Sequence, residues 1–256
     1  MKIEEVKIFE GRNIYSHRKC IRMTVDLEGY SEIPSREIAN FNEGLLQMVP
    51  ELKIHKCCLN YEGGFLDRLK EGTYIAHICE HIILAIQNKL GMDVSYGKAR
   101  CNHGEIYIVV FEYVYRRTAV ECAKTAVSII NSLIEGKAYD AGAAMENLRR
   151  ILIREEPGAS TRAIINEAEK RNFPCIKLGD GSLYQLGYGK RSKIIEATIT
   201  SSTSAISVDI ACDKHITREI LRKNFLPIPS GGLVQDQLDL LYKADFIVYP
   251  VVLKQR

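Results

Sequence analysis

His77, Glu80 and His81 lie within five residues of the stretch EGTYIAHICEHIILAIQNKLG, Glu71 to Gly91. Two histidines four apart on a helix project their imidazoles from one face at neighbouring levels. Glu80, one residue before the second, points to the same side, offset around the axis. The pattern H-x-x-E-H is the inverted form of a helical zinc-binding motif. Neutral imidazole nitrogens are good ligands for Zn²⁺ or another divalent ion, and the glutamate can take a proton from water as it attacks a carbonyl. The rest of the helix is apolar nearly all round, with Tyr74, Ile78 and Ile82 on one side and Ile75, Cys79, Ile83 and Ile86 on another. Burying three polar groups without partners costs several kcal/mol (on the order of 2–7 per group). A line of such groups on a core helix therefore needs a joint explanation. It is either a metal or catalytic site or a hydrogen-bonded structural cluster.

Two histidines leave a third ligand to find. Glu112 sits within IYIVVFEYVY on the face of Ile108, Val110 and Val114, where a carboxylate is out of place unless something binds it. It is the proposed third ligand, with a salt bridge to a lysine or arginine as the alternative. Arg100, in GKARCNHG, is placed in a loop where it can polarise a substrate carbonyl or bind a carboxylate, the alternative being a solvated arginine. Cys101 and His103 in the same stretch form a possible second metal pair that nothing nearby completes.

The elements around these residues follow from periodicity. Ile21, Met23, Val25 and Leu27 alternate with polar neighbours, predicting a half-buried strand. Ser35 to Val49 reads as a single helix with Ser35 as its N-cap, and Gly63 to Gly72 as a turn and a short helical piece. Ile106 to Tyr115 is a strand apolar on both faces, as in the middle of a sheet. Ala119 to Ile134 is a helix. Residues 135–158 are polar and Ala/Gly-containing, which sets a domain boundary near 157/158. Beyond it the chain reads as a helix at 160–171, a hairpin of CIKL and SLYQLGYG around the turn Gly179–Gly181, a helix that follows SSTSAISVDIACDK and runs to Asn224, a helix at 236–244, and an apolar strand FIVYPVVLK. This predicts an α+β fold, with a first domain of helices on a mixed or antiparallel sheet over 1–157 and a smaller α/β unit over 158–256.

Composition narrows the class. The chain has 256 residues, 46% apolar and 26% charged, with a net charge of +3. That charge is too small to argue for nucleic acid, and no basic stripe interleaved with aromatics is present. No apolar tract approaches a membrane span or a signal peptide, so a cytoplasmic protein is expected. The eight cysteines are scattered, and Cys57 and Cys58 are adjacent. They read as mostly reduced core residues, and the absence of any CxxC argues against a cysteine zinc knuckle.

Longer stretches carry a resemblance. RNIYSHRKCIRMTVDLEGY, EGGFLDRLKEGTYIAHICEHIILAIQNKLGMDVSYGKAR and IYIVVFEY resemble the N-terminal domain of cyanophycin synthetase, and GASTRAIINEAEKRNFPCIKLGDGSLYQLGYGKRSKIIEATITSSTSAISVDIACDK resembles the start of that enzyme's ATP-grasp domain. The resemblance covers essentially the whole chain. It implies a ligase family that uses ATP and Mg²⁺ to polymerise aspartate and arginine. It also implies an N-terminal domain that, in some members, acts as a metal-dependent hydrolase cutting the Asp/Arg polymer into primers. His77, Glu80 and His81 fit that role, and the near-neutral charge suits a zwitterionic polymer. Lys214 and Lys254 match the family's two nucleotide-contacting lysines. The family's phosphate loop would follow YPVVLKQR, so Gln255 reads as the point of a truncation and these lysines are expected to be inactive in ligation. A further departure is Ala85, where the family usually has a glutamate. The expectations are a metallohydrolase acting on the polymer or, alternatively, a non-catalytic polymer-binding and homo-oligomerisation module. Residual nucleotide binding through the two lysines is a third reading.

Overall fold

The computed structural model describes residues 1–57, 61–179, 181–247 and 249–254. Cys58, Asp180 of the Gly179–Gly181 turn and Gln255 lie outside the described residues. The chain divides into two compact units, Met1–Gly158 and Ala159–Arg256.

The first unit is an antiparallel sheet of β1 (Lys2–Phe9), β2 (Cys20–Asp26), β3 (Gly97–His103) and β4 (Ile106–Glu112), in the order β1-β2-β4-β3, with helices packed on it. Alternation in β2 sends Ile21, Met23 and Val25 into the core, where register places them beside Phe111, Val109 and Tyr107 of β4. β4 lies inside the sheet, as its apolar run requires, and β3 forms an edge. The strand β1 has no simple period-2 pattern because a bulge falls between Ile3 and Glu5. The extra residue puts Ile3, Val6 and Ile8 on one face, although their spacing is three and then two.

Among the described residues the α-helices of this unit are α1 (Phe41–Met48), α2 (Gly64–Glu71), α3 (Ile75–Lys89), α4 (Arg116–Ile134) and α5 (Ala141–Glu155). The single helix expected over 35–49 is instead a 3-10 turn, Ser35–Glu37, followed by α1. The break is at Asn40, whose φ of 58° is left-handed, a conformation that asparagine tolerates better than most residues. The polar stretch before the expected boundary contains α5. Its Ala, Glu, Arg and Leu are strong helix formers, and Asp140 caps it by accepting the Ala143 amide at 2.8 Å. Only Leu148 of α5 is fully buried, so the apolar periodicity is faint.

The N-terminus of α4 carries no side-chain cap of its own. Glu155 of α5 supplies one from a distance, accepting the Arg117 and Thr118 amides at 2.7 Å each and the Thr118 hydroxyl at 2.8 Å. The carboxylate satisfies orphan amides and faces the positive end of the helix dipole. Glu155→Ala is therefore expected to cost about 1–2 kcal/mol, read as a lower urea midpoint with an unchanged slope.

The second unit holds α6 (Ala159–Lys170), a consecutive antiparallel sheet of β5 (Cys175–Lys177), β6 (Leu183–Leu186), β7 (Lys193–Glu196) and β8 (Ile199–Thr200), then α7 (Ala205–Cys212), α8 (Lys214–Lys223) and α9 (Gln237–Ile247). Its buried apolar cluster is Ile165, Ala168, Cys175, Tyr184 and Ile195. The expected hairpin pairs Cys175 with Leu186. The helix expected after SSTSAISVDIACDK is α8, which Asp213 caps through the His215 and Ile216 amides, and α7 lies within the stretch before it. The expected strand FIVYPVVLK is also corrected. Phe246 and Ile247 end α9, and residues 249–254 carry no strand. An apolar run of this length does not by itself distinguish a strand from the end of a helix.

Candidate metal centre

Helix α3 begins where Gly72, at a φ of 98°, ends α2 and turns the chain. From Ile75 to Gln87 every residue of α3 except His77 is buried. His77 and His81 face each other one turn apart, with their Nε2 atoms 3.0 Å from one another. The Sγ of Cys57, from the loop before α2, lies 3.6 Å from His77 Nε2. The ligand atoms of Cys57, His77 and His81 all fall within 4.8 Å of one another. Neighbouring donors in a tetrahedral zinc site, at bond lengths of about 2.05 Å for nitrogen and 2.3 Å for sulfur, stand about 3.4 Å (N to N) and 3.6 Å (N to S) apart. The cluster fits a divalent ion after a shift of a few tenths of an ångström.

The surroundings fix the rings. Thr73 Oγ1 lies 2.8 Å from His77 Nδ1. With the Nδ1 proton donated to that oxygen, the lone pair of His77 stays on Nε2, facing the cluster. His81 is held by packing, its ring centroid 4.6 Å from Phe65, 4.5 Å from His77 and 5.0 Å from His55. Its Nδ1 is buried without a hydrogen-bond partner. Burial first, then the Arg68 charge, brings His77 down to about 4. Burial first, then the neighbouring His77 and His55, lowers His81 further. Both imidazoles are neutral near pH 7, the form that binds metal.

Glu80 is 6% exposed, and its Oε1 stands 3.9 Å from His81 Nε2. Burial pushes its carboxyl up to about 7, against the opposing effects of a hydrogen bond from the Ala99 backbone and the charge of Lys98. It lies against Gly97 of β3 so closely that a Cβ there would meet Oε1 at 2.6 Å. A larger residue at position 97 would therefore push the Glu80 side chain out of its place.

The remaining expected site residues lie elsewhere. Glu112 is not near the histidines. Register pairs Phe111 with Gly97 on the α3 side of the sheet, so alternation turns Glu112 to the opposite face. There it meets Arg18 at 2.7 Å and accepts the Ser95 and Tyr96 amides at 3.0 Å each, which is the salt-bridge alternative. Arg100 is on β3 rather than in a loop, exposed, and three residues from Gly97, so it also lies on the face turned away from Glu80. Cys101 and His103 are exposed on the same strand, and the metal-ligand cluster found among the described residues does not include them. Lys214 opens α8, and Lys254 lies in the irregular segment after α9; both are exposed. Ala85, where the resemblance leads one to expect glutamate, is 1% exposed within the apolar core.

Cys57 is the candidate ligand that spacing alone missed. It is 20 residues from His77, and beside Cys58 it reads as a reduced core thiol. Its signal was HKCC, which puts His55 and Cys57 on alternate residues just before the glycines that open α2.

The first unit, an antiparallel sheet carrying a buried histidine–glutamate helix, is similar to the cyanophycin synthase-like N-terminal domain. The model of that family matches residues 22–135, which contain the whole cluster. Across 99% of its length the chain is 39% identical to a cyanophycin synthetase of Geminocystis herdmanii, covering 30% of that protein. It is 37% identical to one of Trichormus variabilis, covering 29%, and 36% identical to one of Crocosphaera subtropica, covering 30%. Along its length the chain is similar to cyanophycin synthetases, and it spans about 30% of the length of these relatives. Among the described residues no helix is long and apolar enough to cross a membrane.

Proposed function

We propose that the first unit is a metal-dependent hydrolase that cleaves an Asp/Arg polypeptide of the kind cyanophycin synthetases make. The observation that carries this reading is the convergence of two neutral imidazoles with a buried carboxylate 3.9 Å away. His77 and His81 would hold the ion. When bound, it supplies Lewis-acid polarisation of the scissile carbonyl. Glu80, ionised above about pH 7, accepts a proton from the attacking water and passes it to the leaving amine. Gly97 and the Ala99 amide keep its carboxylate at the edge strand β3. An extended polypeptide can pair with such an edge through main-chain hydrogen bonds, which brings a peptide bond alongside the cluster. Arg100, exposed on the other face of β3, is assigned to substrate carboxylates beyond the scissile bond rather than to the reacting carbonyl.

The test is metal analysis of protein purified without chelator, with cleavage of an Asp/Arg polymer followed by chain length. One divalent ion per chain is expected, with cleavage abolished by chelation and restored by zinc. His77→Ala should lose both the ion and the cleavage. A metal-free protein whose cleavage survives His77→Ala would overturn the reading.

A further inference from the structure

We propose that Cys57 is a metal ligand and that the centre is therefore a two-nitrogen, one-sulfur site selective for thiophilic ions. This rests on the metal-centre reading above and names a ligand that the H-x-x-E-H pattern does not contain. Three observations converge on it. The 3.6 Å separation of Cys57 Sγ from His77 Nε2 is the sulfur-to-nitrogen spacing of a shared tetrahedral ion. Thr73 Oγ1 holds His77 through Nδ1 at 2.8 Å, which leaves Nε2 as the ring nitrogen facing that sulfur. The loop that carries Cys57 is also pinned to the cluster independently of the thiol. His55, two residues earlier, packs its ring 5.0 Å from His81 and 6.2 Å from Phe65, and its carbonyl accepts the Phe65 amide at 3.3 Å.

The alternative is a thiol that only donates a hydrogen bond to His77, and it makes a different prediction. A bound thiolate gives up its proton on metal binding and donates charge to the ion, whereas a bystander thiol does neither. Softness follows as well, because thiolate favours zinc and cuprous copper over magnesium, calcium or manganese.

Cobalt(II) added to the metal-free full chain is the direct probe, since thiolate bound to cobalt gives a near-ultraviolet charge-transfer band that nitrogen and oxygen ligands do not. One equivalent of cobalt is expected to produce the band in the wild type and in Cys58→Ala. Cys57→Ala and Cys57→Ser should bind cobalt without it. Zinc affinity in Cys57→Ala should fall by at least the roughly 10–100-fold that follows when a hydrogen-bond partner of a metal ligand is lost. Stoichiometric cobalt binding with no band in the wild type, or a band that survives Cys57→Ala, would overturn the assignment and leave the His77/His81 centre standing. Absence of cobalt binding to the wild type would overturn the centre itself. The wild-type spectrum decides between these outcomes even if a Cys57 variant fails to fold.

Discussion

Glu80→Gln is expected to abolish cleavage and at the same time to stabilise the metal-free protein above neutral pH. The two effects share one cause. Burial raises the Glu80 carboxyl from an ordinary 4.5 to about 7, so ionising it inside the fold is costly. The folded state holds a proton that the unfolded state releases between those values. Stability therefore declines as pH rises through that window, by on the order of 3 kcal/mol once Glu80 is fully ionised. Glutamine keeps the shape and can still accept the Ala99 amide, but it has no charge to desolvate. Its gain should be about 1–3 kcal/mol at pH 8 and vanish near pH 4, read as the shift of the urea midpoint at each pH after chelation. The loss of the proton acceptor should lower the cleavage rate by about 10²–10⁴-fold at matched zinc content. A variant that cleaves within about tenfold of the wild type would remove Glu80 from catalysis. Equal midpoints at pH 8 would show that the carboxylate is not held at a cost. A buried group that weakens the fold while it is charged is the trade-off expected of a functional residue.

The helix that carries this chemistry was legible because its polar residues break an otherwise apolar surface, and burial of α3 is what that pattern requires. The first unit's central strands were legible for the same reason. Ile21, Met23 and Val25 alternate, and the β4 run is apolar on both faces. Elements whose signal depends on a single conformational break were not. Asn40 in the left-handed region splits one expected helix, and the bulge in β1 removes the period from its apolar residues. The site showed the same division. Spacing along one helix found His77, Glu80 and His81, because their geometry is local. Glu112 was misassigned because the face of a residue in a strand depends on register, which pairs Phe111 rather than Glu112 on the α3 side. Cys57 needed a tertiary contact across 20 residues, and nothing in local periodicity encodes that.

Phe65 should be the residue whose removal damages both the fold and the site. It is fully buried, and its ring stands 6.2 Å from His55, 6.0 Å from His77 and 4.6 Å from His81. Phe65→Ala loses the transfer energy of the ring and leaves a cavity, at a cost of about 3–5 kcal/mol. That is a large share of the roughly 5–15 kcal/mol that holds a domain together. The consequence for the metal centre follows from how His81 is positioned. Its Nδ1 has no hydrogen-bond partner, so no polar contact there replaces the packing that orients the imidazole. A histidine whose other ring nitrogen is held by a hydrogen bond would keep its aim when a neighbouring ring is removed, but His81 should not. Zinc affinity of folded Phe65→Ala is therefore expected to fall by about 10–100-fold, the range seen when other orienting partners of metal ligands are lost. Phe65→Leu, which fills more of the space, should recover most of the stability and part of the affinity. Calorimetric unfolding and a competitive zinc titration on the same samples read the two effects separately. If zinc affinity stays at the wild-type value while stability drops, His81 is aimed by its own helix and the aromatic packing is structural only.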